Sequence, residues 1–317
     1  MAVIGIVGPT ASGKTALSLE LAEALGGADS VEIVSADAMQ LYRGMDVGTA
    51  KIPPAERRGI VHRQIDVLDV LDEASVAAYQ RSARADVDAI LAAGKTPVAV
   101  GGSGLYVSGL LDRLDFPGRD RRIRAELESL LEKKGPGPLL EELARKDPQA
   151  YAAMDLANTR RLVRALEAIR VTGRPYTPRF PRHTSHYPNV RLFGAFRDSD
   201  VLNAAIDRRA KEMMASGLVE ETRELMGRGL ADSPTAGKAT GYAEAMAVIE
   251  GRMRIEDVSG YAAARKEANK MVQGRPSNRM ARFERRRRPS CGRRNLARPG
   301  GDVTGLREGR SGTTQAF

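Results

Sequence analysis

The sequence predicts an α/β fold of the P-loop NTPase-like type: a parallel sheet flanked by helices, with a small helical domain inserted and a separate C-terminal tail. Three observations predict it. An apolar run, Val3–Val7, opens onto Gly8-Pro9-Thr10-Ala11-Ser12-Gly13-Lys14-Thr15, and a helical pattern follows over 16–22. That is strand, glycine-rich turn, helix. Further apolar runs at 31–35 and 97–100 each end in turn residues and are separated by a helical pattern, as βαβ units require. The composition then turns basic and helical over 119–182 before a sheet-like segment resumes at 190–196.

The first turn fits G-x-x-x-x-G-K-[ST], whose residue types suit a phosphate. Glycines let backbone N–H groups turn inward, and the start of the helix adds unpaired donors and the positive end of its dipole. Lys14 supplies a point charge for the outer phosphate, and Thr15 a hydroxyl for Mg²⁺. Taken alone, the loop looks like a nucleotide (ATP) site. Gly26-Gly27 closes the first helix. The second strand ends at Asp37, and ligands of open α/β sheets sit at the carboxyl ends of strands. A carboxylate there can ligate Mg²⁺ or accept a proton from a nucleophile. Residues 39–51 are polar and carry no clean period, so they read as a functional loop rather than core. A helix is expected over about 75–93, capped by Gly94. The strand after it runs into Gly101-Gly102-Ser103, which brings a second backbone turn and a hydroxyl to the same sheet edge.

Composition narrows the classes. A hydrophobic content of 42% supports a core, and a single cysteine, Cys291, excludes a disulfide framework and a cysteine-based zinc site. No apolar run approaches the roughly 20 residues that span a bilayer. The chain opens directly on a strand pattern, so no signal peptide is expected and the protein should be cytoplasmic. The net charge of +10 is local. Residues 265–317 hold 15 Lys/Arg against 4 Asp/Glu, and residues 119–182 hold 15 against 9. What remains is net acidic. A basic segment beside an acidic body suggests either a polyanion-facing surface or a solvated helix face with surplus arginines.

Within 119–182, Ile123, Leu127, Leu130 and Leu131 form a helical stripe, Gly135-Pro136-Gly137-Pro138 breaks it, Pro148 opens a further helix, and Asn158 can N-cap the last. Leu162, Leu166 and Ile169 share one face of that helix, with Arg160, Arg161, Arg164 and Arg170 around the others. His183 and His186 sit in a Pro-rich return linker, where a pair of histidines is usually solvent-exposed. A helix over about 201–216 carries Arg208, Arg209 and Lys211, and an arginine there could clamp a pyrophosphate bidentately.

The segments GPTASGKT (8–15), SAD (35–37), YRGMDVGTAK (42–51), HRQIDV (62–67) and GGSGLY (101–106), in this order and spacing, resemble the tRNA dimethylallyltransferase (tRNA isopentenyltransferase) family. The resemblance extends over roughly residues 2–263. It implies transfer of a dimethylallyl group from its diphosphate to the N6 amine of the adenosine 3′ of the anticodon. The loop 8–15 and Thr15-bound Mg²⁺ would then hold a leaving diphosphate. Asp37 would be the base, Arg209 the charge clamp, and Ser103 a hydroxyl near the amine where the family usually has Thr. The resemblance also implies tRNA contacts from Asp37, Ala38, Met39 and Gln40, from Arg160, Arg161, Leu162, Val163 and Arg164 of the insertion, and from Lys238, Gly241 and Tyr242. Partners would be the tRNA anticodon stem-loop and dimethylallyl diphosphate, with the chain acting as a monomer. Alternative readings are a P-loop kinase of nucleotides or small molecules, an isopentenyltransferase of free adenine nucleotides, and a non-catalytic RNA-binding protein. Past about residue 265 the family's R-R-Q-x-x-W pattern is absent. Residues 264–317 read as a basic tail too poor in aliphatic residues to order itself, either a genuine disordered arm or the product of a shifted reading frame.

Overall fold

Five of the apolar or half-buried runs become parallel strands of one sheet: β1 (Val3–Val7), β2 (Val31–Ser35), β3 (His62–Arg63), β4 (Thr96–Gly101) and β5 (Val190–Gly194). The computed structural model describes residues 1–114, 116–176, 184–254 and 307–310. A sixth strand, β6 (Arg307–Arg310), pairs antiparallel with β5, and the sheet order is β3-β2-β4-β1-β5-β6. The chain divides into two units, one of Met1–Asp112 with Ser185–Phe317 and one of Arg113–Thr184.

In the first unit β1 lies between β4 and β5, with Ile4 opposite Val98 and Val7 opposite Gly194. Both faces of the central strands are covered, which is why their sequences are continuous apolar runs rather than alternations. On one face Val34, Val87, Ala99 and Leu110 pack together, drawing in α2 (Val76–Ala92) and α3 (Gly104–Leu111). On the other, Ile6, Leu19, Val31 and Val98 pack with α1 (Lys14–Ala24). Helix α2 starts where Ser75 Oγ accepts from Ala78 N at 3.1 Å.

The stretch 39–51 is irregular, as expected, but it is not a surface loop. Leu41, Tyr42, Met45, Thr49 and Lys51 are buried. Tyr42 and Met45 share a cluster with Met213, Leu225 of α9 (Leu218–Gly227) and Tyr242 of α10 (Tyr242–Ile249). The polar letters misled because their atoms are spent internally. Lys51 Nζ, with a side chain 3% exposed, meets Asp46 Oδ1 at 2.5 Å and Asp66 Oδ1 at 2.6 Å, and donates to Tyr42 O at 2.8 Å.

The second unit holds α4 (Arg121–Lys134), α5 (Gly137–Lys146), α6 (Pro148–Ala153) and α7 (Thr159–Thr172). Leu127, Leu143, Leu162 and Leu166 form its core. Asp120 caps α4 by accepting from Arg122 N and Ile123 N, Asn158 caps α7 by accepting from Arg161 N, and α7 ends at Gly173 with φ 66°. The unit boundaries at 113 and 184 compare with an expected insertion of 119–182. His183 and the rest of 177–183 lie outside the described residues.

The tail expected to lack order also lies outside the described residues, apart from 307–310. The open edge of β5 presents unpaired N–H and C=O groups, and Arg307–Arg310 adds to it with Phe193 opposite Glu308.

Candidate active site

Four strand ends meet at one edge of the sheet. Ala36 N, just past β2, donates to Val100 O of β4 at 2.8 Å, and Ala195 N, just past β5, donates to Val7 O of β1 at 2.7 Å. Asp37, the loop 8–13 and Gly102-Ser103 are therefore neighbours. The approach is close enough to require glycine. A Cβ on Gly101 would lie 2.4 Å from Ala36 O, and one on Gly8 would lie 2.4 Å from Ala195 O. A Cβ on Gly102 would stand 3.6 Å from Lys14 Nζ, which places the lysine beside the turn carrying Ser103.

The loop itself takes a shape that its sequence predicts. Gly13 has φ 92° and Ala11 φ 64°, so the chain turns sharply before α1. Lys14 Nζ bonds back to Pro9 O at 2.7 Å, holding the ammonium across the mouth of the loop. Ser12 Oγ is buried and makes no hydrogen bond among the described residues. An orphaned hydroxyl at the floor of such a loop fits a phosphate oxygen as its missing partner. Thr15 stands exposed in the first turn of α1.

Asp37 is half-buried, and its Oδ1 accepts from Met39 N at 2.9 Å, so a turn fixes the carboxylate. Ser103 precedes α3 without using its hydroxyl as a cap. Behind these residues Tyr79 donates to Ser35 O at 2.9 Å and packs on Tyr106, with ring centroids 4.8 Å apart. Burial pushes the Tyr79 phenol far above its usual range, so it serves as a permanent donor pinning the end of β2.

Helix α8 (Ser199–Ala215) closes another side. Ala11 of the loop packs with Leu202, Ile206 and Ala210. Next to Ala210, Arg209 Nη2 donates to Thr49 O at 3.2 Å. Arg208 instead points outward, with a side chain 68% exposed beside Glu212 at 3.6 Å. Gln40 is also turned inward, accepting from Ser35 Oγ at 3.0 Å and donating to Thr49 O at 3.4 Å. Ala38 and Met39 are half-buried beside it.

The remaining residues expected to touch RNA divide sharply. Arg160 and Arg161 are exposed, and so is Lys238. Leu162 and Val163 are buried in the second unit's core, so their side chains are not presented to a partner. Arg164 donates to Pro117 O at 2.6 Å, Gly118 O at 3.1 Å and Glu167 Oε2 at 2.9 Å. Its guanidinium neutralises a fully buried carboxylate, which is a structural duty. Tyr242 is fully buried with its hydroxyl on Glu221 Oε1 at 2.5 Å, and burial pushes its phenol far up. Gly241 holds the start of α10, its N–H donating to Glu244 Oε2 at 2.7 Å.

Sequence reasoning missed Arg197. One of its guanidinium nitrogens lies 3.3 Å from where a Cβ on Gly13 would be, over the loop. The residue stands just beyond the carboxyl end of β5, the position that singled out Asp37 on β2, so the same rule could have found it.

A glycine-rich loop at the centre of a parallel sheet, flanked by a fixed carboxylate, a hydroxyl and inward-facing cations, defines an α/β protein with a candidate polyanion site at the sheet's carboxyl edge. The chain belongs to the IPP transferase family, whose model matches residues 40–270. It is 49% identical over 255 residues to a tRNA dimethylallyltransferase of Streptomyces coelicolor, covering 80% of each chain. It is 51% identical over 247 residues to a tRNA dimethylallyltransferase of Mycobacterium avium, covering 78% of this chain and 80% of that one. Among solved structures it is similar to the full-length tRNA isopentenylpyrophosphate transferase of Bacillus halodurans, with a TM-score of 0.58 and 35% identity over 90% of this chain and 86% of that one. It shares its fold with a eukaryotic dimethylallyltransferase acting on tRNA, at a TM-score of 0.74 and 23% identity over 86% of this chain and 69% of that one.

Proposed function

We propose that the protein transfers a dimethylallyl group from dimethylallyl diphosphate to the N6 amine of the adenosine 3′ of the anticodon in tRNA, releasing diphosphate. The observation that carries the reading is the convergence of Asp37, the loop 8–13 and Ser103 on one edge, within a chain of this family.

In this reaction the bond between C1 of the dimethylallyl group and its diphosphate oxygen breaks, and the oxygen keeps the electron pair. A bond from the adenine N6 to that carbon forms, and N6 loses a proton. The amides of 8–15, Ser12 Oγ and the cations Lys14, Arg197 and Arg209 stabilise the charge gathering on the leaving diphosphate. Asp37 accepts the N6 proton, and the Met39 N–H holds its carboxylate in place for that role. Ser103 offers a hydroxyl to orient the amine. The adenine leaves its stack to enter the site, at a cost of a few kcal/mol. Arg160, Arg161 and Lys238, all exposed, suit phosphate contacts with the anticodon stem-loop.

The residues also fit Mg²⁺. The ion favours hard oxygens and needs only one or two from the protein when phosphates complete its shell; the exposed Thr15 hydroxyl beside Lys14 is such a donor. When bound it would neutralise charge on the diphosphate. We further infer a monomer working in the cytoplasm. Among the described residues no helix is long and apolar enough to cross a membrane.

The test incubates the protein with labelled dimethylallyl diphosphate and either an anticodon stem-loop or AMP, with ATP phosphoryl transfer run in parallel. Label is expected on the stem-loop alone. ATP turnover without prenyl transfer, or label on AMP instead, overturns the reading. Asp37→Ala is expected to abolish transfer while leaving RNA binding intact; full activity in that variant removes Asp37 as the base.

A further inference from the structure

We infer that Glu221 is a positioning residue that aims Arg209 at the polyanion site through the backbone of residues 46–49. Successive amides of that stretch converge on one carboxylate. Glu221 Oε2 accepts from Asp46 N at 3.0 Å and Val47 N at 2.8 Å, and Oε1 from Gly48 N at 3.3 Å. The Tyr242 hydroxyl, itself fully buried, adds a bond to Oε1 at 2.5 Å. Consecutive N–H groups pointing one way form an anion nest, and here the protein fills it with its own side chain. The arrangement fixes the next carbonyl. Thr49 O accepts from Arg209 Nη2 at 3.2 Å and from Gln40 Nε2 at 3.4 Å. The Thr49 hydroxyl donates back to Met45 O at 2.6 Å, closing the turn behind it.

One carbonyl thus joins three parts of the site: the end of β2 through Gln40, helix α8 through Arg209, and α9 with α10 through Glu221. No regular element supports 46–49, and Glu221 does that work in place of a ladder. A long guanidinium side chain has several low-energy rotamers, and a fixed acceptor removes most of that freedom before substrate arrives. Glu221 does not need to touch substrate to matter.

The proposal rests on the reading of Arg209 as a cation facing the diphosphate, and the test separates the two. Binding of inorganic pyrophosphate is measured by calorimetry for the wild type, Glu221→Gln, Arg209→Ala and the double variant, with the KM for dimethylallyl diphosphate and kcat alongside. Gln keeps the size of Glu but turns an amide donor toward the N–H groups. We expect Arg209→Ala and Glu221→Gln each to weaken pyrophosphate about tenfold, with little further loss in the double variant. Unchanged affinity in Arg209→Ala sinks the Arg209 reading. A tenfold loss there with a fully additive loss from Glu221→Gln, or none from it, sinks the Glu221 proposal alone. If Glu221→Gln fails to fold, Tyr242→Phe removes one bond from the carboxylate and leaves the amides in place. It is expected to weaken pyrophosphate about threefold in the wild type and not in Arg209→Ala; an equal loss in both backgrounds overturns the proposal.

Discussion

Gly101→Ala tests how the sheet edge is built. The added methyl would fall 2.4 Å from Ala36 O, 2.7 Å from Ala36 Cβ and 2.8 Å from Ala36 C, all of them parts of the neighbouring strand end that cannot swing aside. Ordinary contacts begin near 3.4 Å, so the ends of β2 and β4 must part by about 1 Å. The bond from Ala36 N to Val100 O, now 2.8 Å, is lost or stretched. Overpacking costs about 1–3 kcal/mol and the hydrogen bond about 1 more. For a chain of this size that lowers Tm by about 3–6 °C. Activity should suffer further, since moving Asp37 about 1 Å from Ser103 and the loop costs roughly a hundredfold in kcat/KM. Gly104→Ala is the control: it is three residues on, at the first position of α3, where a methyl meets nothing within 4 Å. The assay is thermal unfolding of both variants with steady-state prenyl transfer. Wild-type Tm and kcat/KM in Gly101→Ala, or an equal Tm loss in Gly104→Ala, would refute the close-approach account.

Other outcomes follow from single contacts. Arg164→Ala leaves the buried Glu167 carboxylate short of its nearest cation, so the second unit should lose about 3 kcal/mol, read by limited proteolysis of 113–184; an undiminished lifetime would count against the structural role. Arg161→Ala, by contrast, should leave unfolding unchanged and flatten the salt dependence of tRNA binding by about one counterion. Arg197→Ala should weaken pyrophosphate binding about tenfold, because its guanidinium lies over Gly13; unchanged affinity would remove it from the site. Glu142 has its carboxyl pulled down to about 2 by hydrogen bonds from Arg170 and then Lys146. Its folded value is below its unfolded one, so the stabilisation is complete above about pH 4.5 and is lost as pH falls toward 2. Glu142→Gln should therefore lower Tm at pH 7 and match the wild type near pH 2, and a Tm gap independent of pH would contradict the assignment.

The fold was legible where local rules and burial agree. The loop 8–15, the strand ends at Asp37 and Ser103, and the cap Asn158 each rest on short-range chemistry that the letters display. Three features were not legible. Leu162, Val163 and Tyr242 came with RNA-contacting neighbours, but burial belongs to single residues, and the helix turns those side chains into the core. Arg164 carries the same letter as Arg161, yet a partner three residues on, Glu167, takes it out of solvent. Glu221 acts through contacts distant in sequence, and no spacing announces it, whereas Arg197 lies just past β5, where the strand-end rule that found Asp37 applies but was not carried through.

The segment 42–51 poses a question that the site itself does not. It is one of the segments that carry the family resemblance, yet its polar groups are largely engaged within the protein. Lys51 is enclosed by Asp46, Asp66 and the Tyr42 carbonyl. The Tyr42 hydroxyl is held by Thr235, Asp72 O and Ala74 N. The amides of 46–48 are taken up by Glu221. A buried polar network stabilises only when every member finds its partner, so changing one letter strands several groups at once. Such interdependence makes a motif specific without making it catalytic. What the network delivers is the Thr49 carbonyl, held without helix or strand at the point where Arg209 and Gln40 need it. Reacting groups must be fixed within about half an ångström, and in an irregular segment only a network of this density can do so. The letters of 42–51 thus act as scaffold for the candidate site, and the residues proposed to react stand on the strand ends beside it.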